Sequence, residues 1–364
     1  MTPSSSGRQF FRTIWLVALS IAIMFGVDTF LAHTEEAETH VEAARLFAEG
    51  QKFLSQGKNP EAVSRLKDAL AIERGNHDYE LALAQAQFAA GQYVDAEQTL
   101  NTLLTADSTL GPANLAMARV LLKEGRVREA ISYYHRAVYG EWKEDPVGNE
   151  LKVRFELIDV LARQNSKEEL LAELLAVEDQ APGDVQSRER IGQLFLEAGS
   201  PTHAAEIFHE VIKQDPDNAD AYAGLGEAEF SRGDYRAAIA DFSQAVKRNP
   251  EDKAASARIN LCNQILALDP TGRGLDAEER FRRSRALLKM TLDAAAPCLG
   301  SSSADLAESA RKSLDAKVAA YRREGSAEAD LDLAEKLWQA RSSSCPAPSK
   351  DDALALVMAR AAAQ

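Results

Sequence analysis

Cysteine, aromatic residues and surplus positive charge are all scarce in this chain, and each scarcity excludes a class of protein. Three cysteines among 364 residues, none in a CxxC pair, leave no disulfide-dense scaffold, zinc ribbon or thioredoxin-like motif. The six histidines (His33, His40, His77, His135, His203 and His209) form no HExxH motif and no i, i+4 pair, so no metal site is expected. GxSxG and Walker signatures are missing as well, and no cofactor or catalytic residue is assigned. Lys and Arg number 42 against 56 Asp and Glu, and a net charge of -14 argues against a nucleic-acid partner gripped by a general basic surface. With 7% aromatic and 45% hydrophobic residues, and with Ala, Leu, Glu, Gln and Arg recurring throughout, the composition predicts an all-α chain with enough apolar material for a core.

Only one apolar stretch is long enough to matter to a membrane. From Thr13 to Ala32, counting through Asp28, there are about 20 residues, the length of a bilayer-spanning helix. Residues 1–34 therefore read as a short cytoplasmic tail and a transmembrane signal anchor in contact with the lipid bilayer through 13–32. A cleaved signal peptide is the alternative, although the nearest small-x-small triplet, Ala32-His33-Thr34, makes a poor cleavage site. Arg8 and Arg12 precede the run, whereas Glu35, Glu36 and Glu38 follow it. Positive-inside logic then places the bulk of the chain outside the cytoplasm, in the periplasm of a bacterium, at the inner membrane if anchored and secreted if cleaved. Residues 35–42 are expected to be a linker.

A 34-residue period follows. Gly57, Gly91 and Gly125 each precede by five residues an alanine, Ala62, Ala96 and Ala130; Gly199 with Ala204 and Gly233 with Ala238 repeat the spacing in a second register. Stepping back from Ala204 reaches Leu170, with Asn165 in the place of the turn glycine, as suits a residue that tolerates left-handed backbone. Each unit reads as two amphipathic helices joined by a tight turn. In 219–252, Tyr222, Leu225 and Gly226 share a face of the first helix, Ala238, Phe242 and Ala245 share a face of the second, and Pro250 closes the unit.

This small-and-large pattern resembles the tetratricopeptide repeat (TPR) family. The resemblance covers units 43–76, 77–110 and 111–144, a loop at 145–150, and units 151–184, 185–218 and 219–252, with Pro182 and Pro216 among the matching prolines. It implies a superhelix of about six helix-turn-helix repeats whose first helices line a concave groove. Groove positions carried over from the family are Gln51, Gln85, Arg119, Asp159, Gln193 and Glu227 as a polar stripe, and Leu54, Phe88, Leu122, Ala162, Leu196 and Phe230 as an apolar one. Such a pair of stripes suits an extended peptide or a helix with apolar side chains; partial burial of the apolar stripe against the neighbouring repeat is the competing reading. A carboxylate clamp needs Lys and Asn where this chain has Phe47, Gln51, Leu81 and Gln85, which disfavours that type of partner. Residues 35–252 hold 23 basic and 40 acidic side chains, so the excess acid belongs to the repeats.

Beyond them, residues 253–270 read as a capping helix, and 271–364 as a small helical region with stretches at Asp276–Ala295, Ala304–Arg323, Ala327–Ala340 and Asp351–Ala362. The Arg280–Arg285 cluster is expected on an exposed face, paired with Glu278 and Glu279. Cys298 and Cys345 sit in matching Pro- and Ser-flanked contexts and are candidates for a disulfide, worth about 4 kcal/mol by chain entropy; Cys262 is expected to stay a buried thiol. The expected function is a non-enzymatic, membrane-anchored scaffold that binds a peptide or helix of an envelope protein and aids assembly of a complex. The alternative is an accessory subunit of an envelope biosynthesis or secretion enzyme system that acts through residues 271–364.

Overall fold

The computed structural model describes residues 38–180, 183–300, 303–319 and 322–362, together with Trp15, Leu19 and Met24. The rest of the apolar run at 13–32 and Pro182 lie outside the described residues, and no helix among those described is long and apolar enough to cross a membrane. The described chain is helical, with one isolated bridge between Leu110 and Glu141 and no strand. It divides into two compact units, Met1–Leu161 and Ala162–Gln364.

The first unit contains α1 (38–55), α2 (Asn59–Ile72), α3 (His77–Ala89), α4 (Tyr93–Ala106), α5 (Gly111–Lys123), α6 (Val127–Val138) and most of α7 (Pro146–Gln164). The second helices α2 and α4 also pack on the first helix of the next pair, α2 on α3 and α4 on α5. The second unit holds α8 (Lys167–Val177), α9 (Val185–Glu197), α10 (Pro201–Gln214), α11 (Ala219–Ser231), α12 (Tyr235–Arg248) and α13 (Lys253–Leu268). There α10 packs on α11, and α12 on α13. Helices α14 (Ala277–Ala295), α15 (Ala304–Asp315), α16 (Arg323–Ser344) and α17 (Ala353–Ala361) complete it.

Backbone geometry explains the punctuation. Gly57, Gly91, Gly125, Gly199 and Gly233 turn the chain at φ between 73° and 79°, and Asn165 does so at 55°. After each glycine the next N–H reaches five residues back, as from Lys58 to Phe53 O at 2.9 Å and from Asp234 to Glu229 O at 2.9 Å. This bond closes the helix in the Schellman manner, satisfying a carbonyl that the helix end leaves open. Helix pairs then meet where a small residue faces a large one. A Cβ on Gly50 would stand 2.6 Å from Leu66, one on Gly192 2.8 Å from Phe208, and one on Gly226 2.7 Å from Phe242. Phe208 is held from two sides, since a Cβ on Gly224 in the following repeat would come within 2.3 Å of its ring. The Gly-Leu-Gly triplet at 224–226 thus serves helix packing.

The structure corrects four expectations. Residues 38–42 already belong to α1, with Ala43 and Leu46 buried, so the linker does not extend through 42. Residues 145–150 are not an open loop: Asp145 accepts from the Gly148 N–H at 3.2 Å, Pro146 opens α7, and Asn149 Nδ2 donates to Glu144 O and Asp145 O. The expected helix 304–323 ends at Asp315. There the Arg285 guanidinium reaches across from α14 and donates to the carbonyls of Ser313, Leu314 and Ala316, which tethers that end and lets Ala316 turn to extended backbone. Finally, 271–364 is no separate module, because Tyr235, Phe242, Cys262, Ile265, Leu287, Leu337 and Val357 share one buried core running from α12 to α17.

The remaining arginines of the 280–285 cluster are largely occupied. Arg282 and Arg283 each reach Glu279 at 2.6 Å, and Arg280 reaches Glu324 at 3.4 Å. Glu278 pairs instead with Arg323 at 3.1 Å. Cys298 and Cys345 are joined with Cα atoms 5.4 Å apart, tying the end of α14 to the end of α16. Cys262 is fully buried, and that burial pushes its thiol up to about 11, leaving a small apolar core group.

Two glycines test this account of packing with opposite signs. Gly226→Ala should destabilise by about 1–3 kcal/mol, because the ring of Phe242 has to give way despite alanine's better helix propensity. Gly325→Ala, in α16 with nothing within 4 Å of the added Cβ, should stabilise by up to about 1 kcal/mol. Urea denaturation of both variants reads the two signs directly, and a stabilising Gly226→Ala would remove the close-approach argument.

Candidate functional site

The first helices of successive repeats adjoin one another within each unit, α3 beside α5 and α9 beside α11. Their inner faces are built by helical spacing: residues at positions 5, 9 and 12 of each repeat fall on one side, while position 8 turns toward the partner helix. The apolar stripe is half-buried at every position, Leu54, Phe88 and Leu122 in the first unit and Ala162, Leu196 and Phe230 in the second. Leu54 packs on the cluster of Val63, Leu66 and Leu83; Phe88 and Leu122 pack on that of Leu100, Met117 and Leu121. Phe88 meets Tyr93 with ring centroids 5.6 Å apart, and Phe230 meets Tyr235 edge-on at 5.3 Å. Leu54, Phe88, Leu122 and Phe230 therefore each have one face in the core and one outward.

The polar stripe behaves in two ways. Gln51, Gln85 and Gln193 are exposed, and Asp159 is half-buried. Arg119 and Glu227 are engaged with the neighbouring first-type helix. Arg119 in α5 donates two parallel bonds to Glu156 in α7, Nε to Oε2 at 3.0 Å and Nη2 to Oε1 at 2.5 Å, and Tyr134 Oη adds a longer contact at 3.4 Å. The hydrogen bonds to Glu156 raise the Arg119 pKa and outweigh the loss of solvation. In the second unit Arg258 of α13 bridges Glu227 of α11 and Asp351, both at 2.6 Å, while its guanidinium lies 4.7 Å from the Phe230 ring centroid. Burial works against the Arg258 charge, but Glu227 and Asp351 leave its pKa raised. Glu156 and Arg258 lie outside the family's groove positions, and only their contacts reveal them.

A second feature escaped the repeat pattern. At the end of the unit 111–144, residues 140–144 fold against the starts of α3 and α5 and with them line a pocket of about 420 Å³ in the first unit. Leu81, an inner-face residue of α3, lines it together with Asp78, Leu103, Leu110, Pro112 and Trp142. The repeat spacing carried no signal of it, because residues 140–144 lie within the unit 111–144 and the six extra residues follow at 145–150. Among the described residues no three His, Cys, Asp or Glu side chains converge as a metal site.

Profiles of the tetratricopeptide repeat match residues 53–109, 115–185 and 190–253. DnaJ homolog subfamily C member 3 of Rattus norvegicus is 22% identical over 68% of this chain and 51% of its own length. A putative cellulose synthase operon protein C of Escherichia coli O157:H7 is 25% identical over 68% of this chain and 21% of its own. The chain spans about half the length of the first relative and about a fifth of the second. Among solved structures, the C-terminal part of a TPR repeat-containing protein from Cytophaga hutchinsonii covers 84% of this chain and 97% of its own at 12% identity and a TM-score of 0.44.

One carboxyl group of the second unit is held well above its usual range. Asp241, on α12, is half-buried; burial first, then Glu229 and Asp234, push it up to about 6 from 3.8, with His209 pulling the other way. A carboxyl whose folded pKa exceeds its unfolded one binds extra proton in the native state between those values, so it costs stability as pH rises from about 4 to about 6, and the cost stays constant above. Asp241→Asn should therefore stabilise the protein at pH 7 by about 1 kcal/mol, after allowance for solvent screening, and by much less near pH 4. Urea melts at the two pH values test it: an equal effect at both would refute the shift.

Proposed function

Because this chain belongs to the tetratricopeptide repeat family, we propose that it is a non-enzymatic interaction scaffold whose inner helix faces take a peptide or helix of another protein. Proteins of this family are in general protein–protein interaction scaffolds. The observation that carries the reading here is the apolar stripe: side chains anchored in the core by one face and open by the other are preorganised to complete their burial under a ligand. The exposed glutamines beside them offer donors and acceptors to a peptide backbone.

The location proposed with it is the inner membrane, with the bulk of the chain outside the cytoplasm and an envelope protein as partner. Supporting it are the run at 13–32, in which Trp15, Leu19 and Met24 are helical with exposed apolar side chains, and the joined Cys298 and Cys345, since disulfides persist in oxidising compartments. An alkaline phosphatase fusion after residue 40 should be active; an inactive fusion would overturn the export proposal.

A second reading, an accessory subunit of an envelope biosynthesis or secretion enzyme system, draws on the C-terminal helices. An open cleft of about 900 Å³ there is lined by Phe281, Arg285, Lys289, Leu292, Arg311 and Arg323. Deleting 271–364 cannot separate the readings, because it would strip the core from α13. Photocrosslinking residues placed in the full chain can. Under the groove proposal a partner protein should crosslink from positions 51, 85 or 193 and not from 289 or 311, and the converse pattern would favour the second reading.

A further inference from the structure

The wall over the 420 Å³ pocket is built to a fixed shape. Gly140 lies against Gly111, where a Cβ would stand 2.7 Å from the Gly111 Cα, so neither chain segment tolerates a side chain between them. The Glu141 N–H donates to Thr109 O at 2.7 Å and the Gly111 N–H to Glu141 O at 3.0 Å, pairing the two strands of backbone. Trp142 then packs against Gly111, whose added Cβ would fall 2.4 Å from the indole nitrogen, and its Nε1 donates to Ala137 O at 3.0 Å. Lys143 Nζ spans back to Asp78 Oδ1 at 2.8 Å. Four successive residues, 140–143, thus each anchor this short segment, to α3, to the start of α5 or to the end of α6.

The enclosed space has two chemistries. Its floor is apolar, from Leu81, Leu103, Leu110 and Pro112, with Trp142 as a side wall. Its rim carries Glu141 and Glu144, both exposed, while Lys143 is already committed to Asp78; His77 is the remaining titratable group at the edge. Apolar floor, aromatic wall and carboxylate rim together match a side chain with an aliphatic stem and a cationic head. The volume lies within the range of small-ligand sites, roughly 300–1,000 Å³.

We propose that this pocket receives an arginine or lysine side chain of the bound partner, its methylenes on Leu81 and Leu110 and its charge at Glu141 and Glu144. The proposal rests on the inner-face reading, since Leu81 belongs to both surfaces. It also gives a use to the charge of the repeats, whose net of -17 over residues 35–252 draws cationic segments toward them.

The test uses the full chain and monomeric probes, so it does not depend on peptide capture along the helix faces. The indole N–H resonance of Trp142 is identified by elimination with Trp15→Phe and Trp338→Phe variants. It is then followed while Nα-acetyl-arginine methylamide or Nα-acetyl-norleucine methylamide is added. The arginine probe should shift the Trp142 signal with an affinity at least about fivefold tighter than the norleucine probe, a preference that falls in high salt and disappears in the Glu141→Gln/Glu144→Gln variant. No movement of the signal, equal affinity for the two probes, or an undiminished preference in the double variant would overturn the pocket assignment. A failed crosslinking experiment from positions 51, 85 and 193 alongside a positive titration would instead sink the inner-face reading and leave the pocket standing.

Discussion

A phenylalanine ring lying over a glycine sets the geometry of the second unit. Gly192 and Gly226 bring their helices close enough that Phe208 and Phe242 fill what a methyl group would occupy, and Gly224 admits Phe208 from the other side. One ring therefore fixes both the spacing within a repeat and the spacing to the next. In the first unit Leu66 over Gly50 plays the same part, and Ala84 and Ala118 occupy the corresponding position, both fully or almost fully buried. Close-packed interiors transmit such constraints, because no slack remains to absorb a shifted helix. The inner face is a consequence: once position 8 is committed to the partner helix, positions 9 and 12 can only point along the side shared by successive first helices.

That face is then stiffened by charge. Arg119 with Glu156, and Arg258 with Glu227, each tie a first helix to the neighbouring one. Both pairs are half-buried, so the loss of solvation offsets much of the attraction, and their contribution lies in orientation more than in stability. The Arg119–Glu156 pair is bidentate, which restricts both side chains to one geometry. Arg258 does more, since its guanidinium also covers the Phe230 ring and reaches Asp351, so the last inner-face aromatic is partly roofed by the chain's own residues.

Features governed by local rules were legible in the sequence. Turn residues, helix phases and the small-for-large contacts all follow from spacing within 34 residues, and even Asn165 could be placed by its tolerance of positive φ. What escaped detection depends on residues distant in sequence. The break after Asp315 is held by Arg285, some 30 positions earlier, and local propensity in 304–323 gives no hint of it. The merging of 271–364 with the last repeat comes from α17 returning to α13, a contact across about 90 residues. Among the proposed site residues, the family pattern names the positions of the two stripes, but not which polar members are already paired. Glu156 and Arg258 supply those pairs from positions the pattern leaves unassigned.

The half-buried state of the apolar stripe bears on how such a face can bind. A fully exposed leucine or phenylalanine would lose rotamer freedom when a ligand covered it, at roughly 0.5–1.5 kcal/mol for each side chain ordered at the interface. A fully buried one would offer the ligand nothing. Leu54, Phe88, Leu122 and Phe230 lie between these limits: the core clusters and the rings of Tyr93 and Tyr235 already fix their positions, and the outward face still has apolar area to remove from water. At about 25 cal/mol per Å², covering even a few tens of Å² on each brings only modest affinity per contact. Under the proposed binding, several repeats of a unit would then have to act together along one ligand. On that proposal, weak, prepositioned and regularly spaced contacts would favour an elongated partner, and discrimination among such partners would fall to the few places where charge or shape differs from one repeat to the next, as at the pocket under residues 140–144.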